Sequence, residues 1–176
     1  VDIPAGGLGL LWVAEGLWLA GLAGVALGGA QAVTYAASMF YAIAYAIMSA
    51  GAFGLVIYMS SKGVDADSLD DFKGLNGRNP WFAFLTLILM LSMAGVPPFL
   101  GFWAKLAVLQ ALVDADGTLL AVVAVLFAVV GLFYYLRVIR LAYFDSPEDE
   151  TPIAAQSQLK VMLSTNAFKC LGCKFL

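Results

Sequence analysis

Charged residues are missing from three long runs of the chain. None lies between Glu15 and Lys62, between Arg78 and Lys105, or between Asp116 and Arg137. Each run has room for the ~20 apolar residues with which a helix crosses about 30 Å of hydrocarbon. Within and around them the pattern predicts four helices. The first covers about residues 6–28, is rich in Gly, Leu and Ala, and carries Glu15 near its middle; its glycines make it the weakest of the four. Gly28, Gly29 and Gln31 then read as a short loop. The second covers about residues 34–60, and its many small residues, from Ala36 and Ala37 to Gly51 and Gly54, suit close helix packing in lipid. Tyr35, Tyr41 and Tyr58 fall toward its ends or upper part, where aromatic rings anchor at an interface.

A polar stretch over residues 61–80 holds Lys62, Asp65, Asp67, Asp70, Asp71, Lys73 and Arg78. It reads as a hydrophilic connection with one surface turn around Leu69 to Leu75. The third helix covers about residues 81–113, more than one straight span needs, and is interrupted at Gly95-Val96-Pro97-Pro98. Adjacent prolines remove two backbone donors and clash with the preceding turn, so the helix breaks there. Open backbone at membrane depth is tolerated only where protein or a water-filled cavity satisfies it. Asp114, Asp116 and Gly117 make a turn, and a fourth helix follows over about residues 118–144, ending in Tyr134-Tyr135-Leu136-Arg137. Beyond Asp145 comes an acidic loop with Glu148, Asp149, Glu150 and Pro152. Residues 157–176 are moderately amphipathic, as in a segment lying along a membrane surface. The expected fold is thus all-α and integral to a membrane: a bundle of about four transmembrane helices, the third broken at Pro97-Pro98. Residues 1–156 form the membrane region and 157–176 a cytoplasmic or interfacial tail.

Composition strengthens this reading. Of 176 residues, 62% are hydrophobic and only 12% charged, about half the charged share of a soluble domain. That leaves too little polar material to coat a surface in water. The net charge of −3 and the absence of a basic run speak against a nucleic-acid partner. Cys170 and Cys173 form a C-x-x-C, but the chain has no histidine and no second cysteine pair to complete a zinc site, so they read as incidental. No Lys or Arg precedes the first apolar run, which argues against a cleavable signal peptide. No phosphate loop, nucleophile elbow or metal cluster is present. Lys62, Lys73 and Arg78 lie in one connection and Arg137, Arg140 and Lys160 after the last span, whereas the turns near Gly28 and Asp114 have no cation. The positive-inside rule puts the 61–80 connection and the tail in the cytoplasm.

One residue calls for chemistry. Lys105 is the charge set well inside a spanning stretch, apart from Glu15 in the weak first helix. An ammonium at membrane depth costs several kcal/mol and faces a protein interior or an aqueous path. A buried lysine also exchanges its proton more readily than an exposed one. The helix break just before it can hold water beside it. The alternative is a lysine that snorkels to the interface. Lys105 lies nine residues before Asp114, about 13 Å along a helix, which is more than its arm spans unaided. Glu15, in a glycine-rich segment, reads more simply as an interfacial or mis-registered residue.

The run Leu91-Ser92-Met93-Ala94-Gly95-Val96-Pro97-Pro98-Phe99-Leu100-Gly101-Phe102-Trp103-Ala104-Lys105 resembles the antiporter-like membrane subunits of respiratory complex I. The same broad family includes the multisubunit cation/proton antiporters. Met39-Phe40-Tyr41, Gly51-Ala52-Phe53-Gly54, Leu69 to Leu75, and Tyr134-Tyr135-Leu136-Arg137-Val138 with Tyr143-Phe144 resemble its subunit N branch, from bacterial NADH:quinone oxidoreductases. The resemblance covers about Leu19 to Asn166. It implies a larger fold of inverted repeats with discontinuous helices, in which Lys105 matches a lysine that relays protons and Gly95, Pro97, Pro98 and Gly101 shape the break. It also implies a multi-pass location in the bacterial inner membrane, beside the other membrane subunits and the lipid bilayer. No cofactor is expected in this chain; NAD, FMN, iron–sulfur clusters and quinone belong to the whole complex. The alternatives are a subunit of a sodium/proton antiporter and a structural membrane component without transport. Before Leu19 the chain lacks the family's serine- and histidine-bearing helix start. After Asn166, Phe168 to Lys174 departs from a hydrophobic helix. The expectation is a fragment of a longer subunit with atypical ends.

Overall fold

A computed structural model describes residues 32–60, 72–146 and 157–171. The stretch about 6–28 with Glu15, most of the 61–80 connection, the acidic loop and Cys173 lie outside the described residues. Those described form helices joined by turns: α1 (Ala32–Ser60), α2 (Leu75–Arg78), α3 (Pro80–Ala94), α4 (Leu100–Asp114), α5 (Thr118–Phe144) and α6 (Ser157–Cys170). No strand occurs among the described residues.

Two helices are long and apolar enough to cross a hydrocarbon core, Thr34–Ile57 with 24 residues and Thr118–Phe144 with 27. At 1.5 Å per residue these span roughly 36 and 40 Å. α3 and α4 have 15 residues each, about 22 Å apiece, so each alone falls short of a hydrocarbon core.

α1 buries one stripe, Thr34, Ala37, Tyr41, Ala44, Met48, Gly51 and Leu55, at alternating three- and four-residue spacing. That spacing keeps one helix face toward the bundle. Lipid is as apolar as leucine, so close approach and hydrogen bonds hold helices together in it more than hydrophobic burial does. Small residues allow that approach: a β-carbon at Gly51 would lie 2.7 Å from Leu89 Cδ2. The outward face of α1 carries Tyr35, Met39, Phe53 and Ile57. α5 behaves alike, packing Ala121, Ala124, Gly131 and Tyr135 inward and leaving Leu119, Leu126, Val129 and Phe133 outside. α3 is the central helix, in contact with α1, α2, α4, α5 and α6, and buries Phe82, Leu85, Thr86, Leu89 and Ser92.

Two sequence expectations change, and the C-terminal segment gains packing partners. Tyr41 is no interfacial anchor: it is 2% exposed and stacks on Tyr45 with ring centroids 6.1 Å apart. The turn before α3 is not all surface, since Phe72 and Leu75 are buried and the Gly74 N–H donates to the Leu141 carbonyl at 3.1 Å. Residues 157–170 form a helix that packs its Leu163, Ala167 and Cys170 face against α1 and α3. Asn166 secures it by donating to the Ile47 carbonyl at 3.0 Å, on α1 beside Gly51. One face of this moderately amphipathic segment is thus turned to other helices, while Val161, Met162 and Phe168 stay exposed.

Candidate functional site

α3 begins with Pro80 in its first turn, where a missing N–H costs nothing, behind Asn79, whose side chain accepts the Phe82 N–H. It ends in a Schellman pattern. Gly95 takes the left-handed conformation at φ 81°, which glycine adopts without penalty. The Gly95 N–H reaches the Ser92 carbonyl and the Val96 N–H reaches that of Leu91, both at 3.1 Å. Pro97 and Pro98, joined by a cis peptide bond, occupy the turn that follows, and Phe99 donates to the Val96 carbonyl at 3.0 Å. α4 then starts at Leu100 beside the last turn of α3.

Gly101 makes that start possible. It is buried, its N–H points to Ser92 Oγ at 3.4 Å, and a β-carbon there would collide with the Ser92 carbonyl oxygen. Phe99 offers no side-chain cap to α4, so the Ser92 hydroxyl, reaching across from α3, meets one of the free N–H groups of its first turn. The same hydroxyl donates to Met48 Sδ at 3.1 Å. Ser92 therefore ties α1, α3 and α4 together at the break.

Lys105 lies one turn beyond Gly101 on the same face of α4 and also meets the end of α3. Its Nζ donates to the Met93 carbonyl oxygen at 2.9 Å. The side chain is partly buried and its stem runs over Gly95. The ammonium thus sits at the negative pole of α3, where a cation gains about 0.3–1 kcal/mol, and up to ~2 when partly buried. Gly95, Pro97, Pro98, Gly101 and Lys105, all named from the sequence, converge on one junction. The sequence reading missed Ser92, Met48 and the Met93 carbonyl. A serine following the helical pattern gives no sign of its partners, and a backbone acceptor has no side-chain signature. Among the described residues no three His, Cys, Asp or Glu side chains come together to hold a metal. Such a junction can hold a positive charge at the carbonyl end of α3.

Comparison with known proteins places this architecture. Residues 20–131 match the family described as NADH:quinone oxidoreductase/Mrp antiporter, TM. The NADH-quinone oxidoreductase subunit N of Thioalkalivibrio sulfidiphilus (strain HL-EbGR7) is 55% identical over 132 residues, 75% of this chain and 28% of that protein. That of Azoarcus sp. (strain BH72) is 57% identical over 132 residues, again 75% of this chain and 27% of the relative. That of Herminiimonas arsenicoxydans is 52% identical over 153 residues, 86% and 31% of the two chains. The chain therefore spans less than a third of the length of these curated relatives. A chain in the structure of respiratory complex I from Thermus thermophilus shares the fold with a TM-score of 0.71 at 22% identity, over 98% of this chain and 44% of that one. The match to residues 20–131 takes in more than half of the 176 residues, and the chain belongs to the NADH:quinone oxidoreductase/Mrp antiporter transmembrane family.

Proposed function

We propose that this chain is part of a proton-translocating membrane subunit of an NADH:quinone oxidoreductase, with Lys105 as the group that carries the proton. The observation that bears most weight is the contact of Lys105 Nζ with the Met93 carbonyl at a helix break. An ammonium buried at membrane depth without function would be a standing cost of several kcal/mol. Here the carbonyl pole of α3 offsets part of that cost for the charged form. Giving up the proton removes both the charge and one donor, so the end of α3 loses its cation. The two protonation states therefore differ in how the junction is held together, as a relay group requires.

In this reading the chain holds no redox centre. Electron transfer from NADH to quinone takes place elsewhere in the complex, and this chain spans the bacterial inner membrane several times among the other membrane subunits and lipid. The family also takes in Mrp antiporters, and a sodium/proton antiporter subunit is the second reading. The relatives at 52–57% identity, all named subunit N, favour the first. Purification from native membranes tests the choice. Recovery with flavin- and iron–sulfur-containing partners supports the oxidoreductase, and recovery with antiporter subunits lacking both contradicts it.

A further inference from the structure

α6 is tied to both ends of α3. In the first turn of α3 the Trp81 Nε1–H donates to Ser164 Oγ at 3.2 Å. In its last turn, Ser92 makes a side-chain hydrogen bond with the Cys170 thiol. Cys170 and Ser92 are both wholly buried. The Ser92 hydroxyl is the group that also meets Met48 Sδ at 3.1 Å and the Gly101 N–H at 3.4 Å. One turn back along α6, Asn166 uses both ends of its amide. Its Oδ1 accepts from Cys170 Sγ at 3.8 Å, and its Nδ2 donates to the Ile47 carbonyl of α1 at 3.0 Å. A β-carbon at Gly51 would collide with that Oδ1.

We infer that Asn166 and Cys170 are positioning residues for the helix break. With Ser92 they form a buried polar chain from the Ile47 carbonyl of α1 to the Gly101 N–H of α4, and through it α6 holds the two halves of the break in place. This rests on Lys105 being the proton carrier, and deepens that reading by naming what holds the lysine's helix.

Apolar contact alone fixes little in lipid, where a leucine loses nothing by facing a lipid tail instead of a neighbouring helix. A polar group pulled from its partner there has no water to turn to. Such a chain therefore sets the depth of α6 against α3, and of α4 against both. Each link is weak, since a thiol is a poor donor, but the links meet at Ser92. Phe99 supplies no side-chain cap to α4, so the placing of the Ser92 hydroxyl bears on where α4 begins. Lys105 follows Gly101 by one turn, and its acceptor, the Met93 carbonyl, belongs to the residue after Ser92. A displaced Ser92 thus moves both the lysine's helix and the group that the lysine holds.

The test is NADH-driven proton uptake into vesicles, measured per assembled complex. The variants are Cys170→Ala, Cys170→Ser, Ser92→Ala, Cys170→Ala combined with Ser92→Ala, Ser164→Ala and Lys105→Ala. Cys170→Ala lowers uptake about threefold, the effect of one intramembrane hydrogen bond. Cys170→Ser keeps a hydrogen-bonding group at that position and restores most of the loss. The combined variant loses no more than Ser92→Ala alone, because Cys170 acts through Ser92. Ser164→Ala, at the far end of α6, leaves uptake unchanged. Parent-level uptake in Cys170→Ala overturns the inference, as does no recovery in Cys170→Ser. So do losses that multiply in the combined variant, or an equal loss in Ser164→Ala. If Cys170→Ala does not assemble, Asn166→Ala decides: a loss of about threefold is expected, and parent-level uptake overturns the inference. Normal uptake in Lys105→Ala would instead remove the proton-carrier reading itself. Lost uptake in Lys105→Ala beside parent-level uptake in Cys170→Ala removes only the inference.

Discussion

Gly101 lies so close to Ser92 that a β-carbon on it would run into the Ser92 carbonyl oxygen and lie only 3.2 Å from Met48 Sδ. Two helix segments meet there backbone to backbone, and the lysine one turn further along α4 is aimed by that meeting. Gly101→Ala must part α3 from α4. Overpacking of this kind costs about 1–3 kcal/mol, and the expected outcome is a lower thermal midpoint and poorer assembly of the complex. Melting and assembly equal to the parent protein would contradict so close an approach.

Ser92 fastens the same junction through its hydroxyl. Ser92→Ala leaves the Gly101 N–H without that oxygen and Met48 Sδ without its donor. Leaving a buried polar group unsatisfied costs about 1–3 kcal/mol. The weak sulfur acceptor and the 3.4 Å separation put the expected loss near the bottom of that range, about 1 kcal/mol. Thermal melting of the detergent-solubilised complex measures it, and Ser92→Cys should recover little of the loss.

A third prediction concerns α6. Asn166 Nδ2 donates to the Ile47 carbonyl at 3.0 Å, and Gly51 gives it room. Intramembrane hydrogen bonds of this kind contribute about 0.6 kcal/mol and at most ~1.7. Asn166→Ala should therefore loosen α6 modestly, whereas Gly51→Leu should displace it. Limited proteolysis near residue 157 reads the difference, with faster cleavage in Gly51→Leu than in Asn166→Ala. The reverse order would argue against the close packing at Gly51.

Much of this architecture is legible from the sequence because its driving patterns are local. Charge-free runs mark the spans, and two adjacent prolines mark the break. Lys105 is conspicuous because a cation among apolar residues is costly in lipid. What the sequence conceals is pairing across long separations. Ser92 meets Met48, and Asn166 meets Ile47, 119 residues apart. Nothing about a serine or an asparagine in its own helix announces such partners. Tyr41 misleads for a related reason: an aromatic ring near the end of a span serves equally as anchor or as core, and only its neighbours decide. Nor does the 157–170 segment announce its seat, the small-residue face that Gly51 and Gly54 open on α1.

The most direct test of the whole account is NADH-driven proton uptake in membranes carrying Lys105→Ala, measured beside NADH:quinone activity and assembly. The account predicts uptake reduced at least tenfold with the complex still assembled. Uptake equal to the parent protein at equal assembly would contradict it and leave Lys105 as an anchoring side chain at the end of α3.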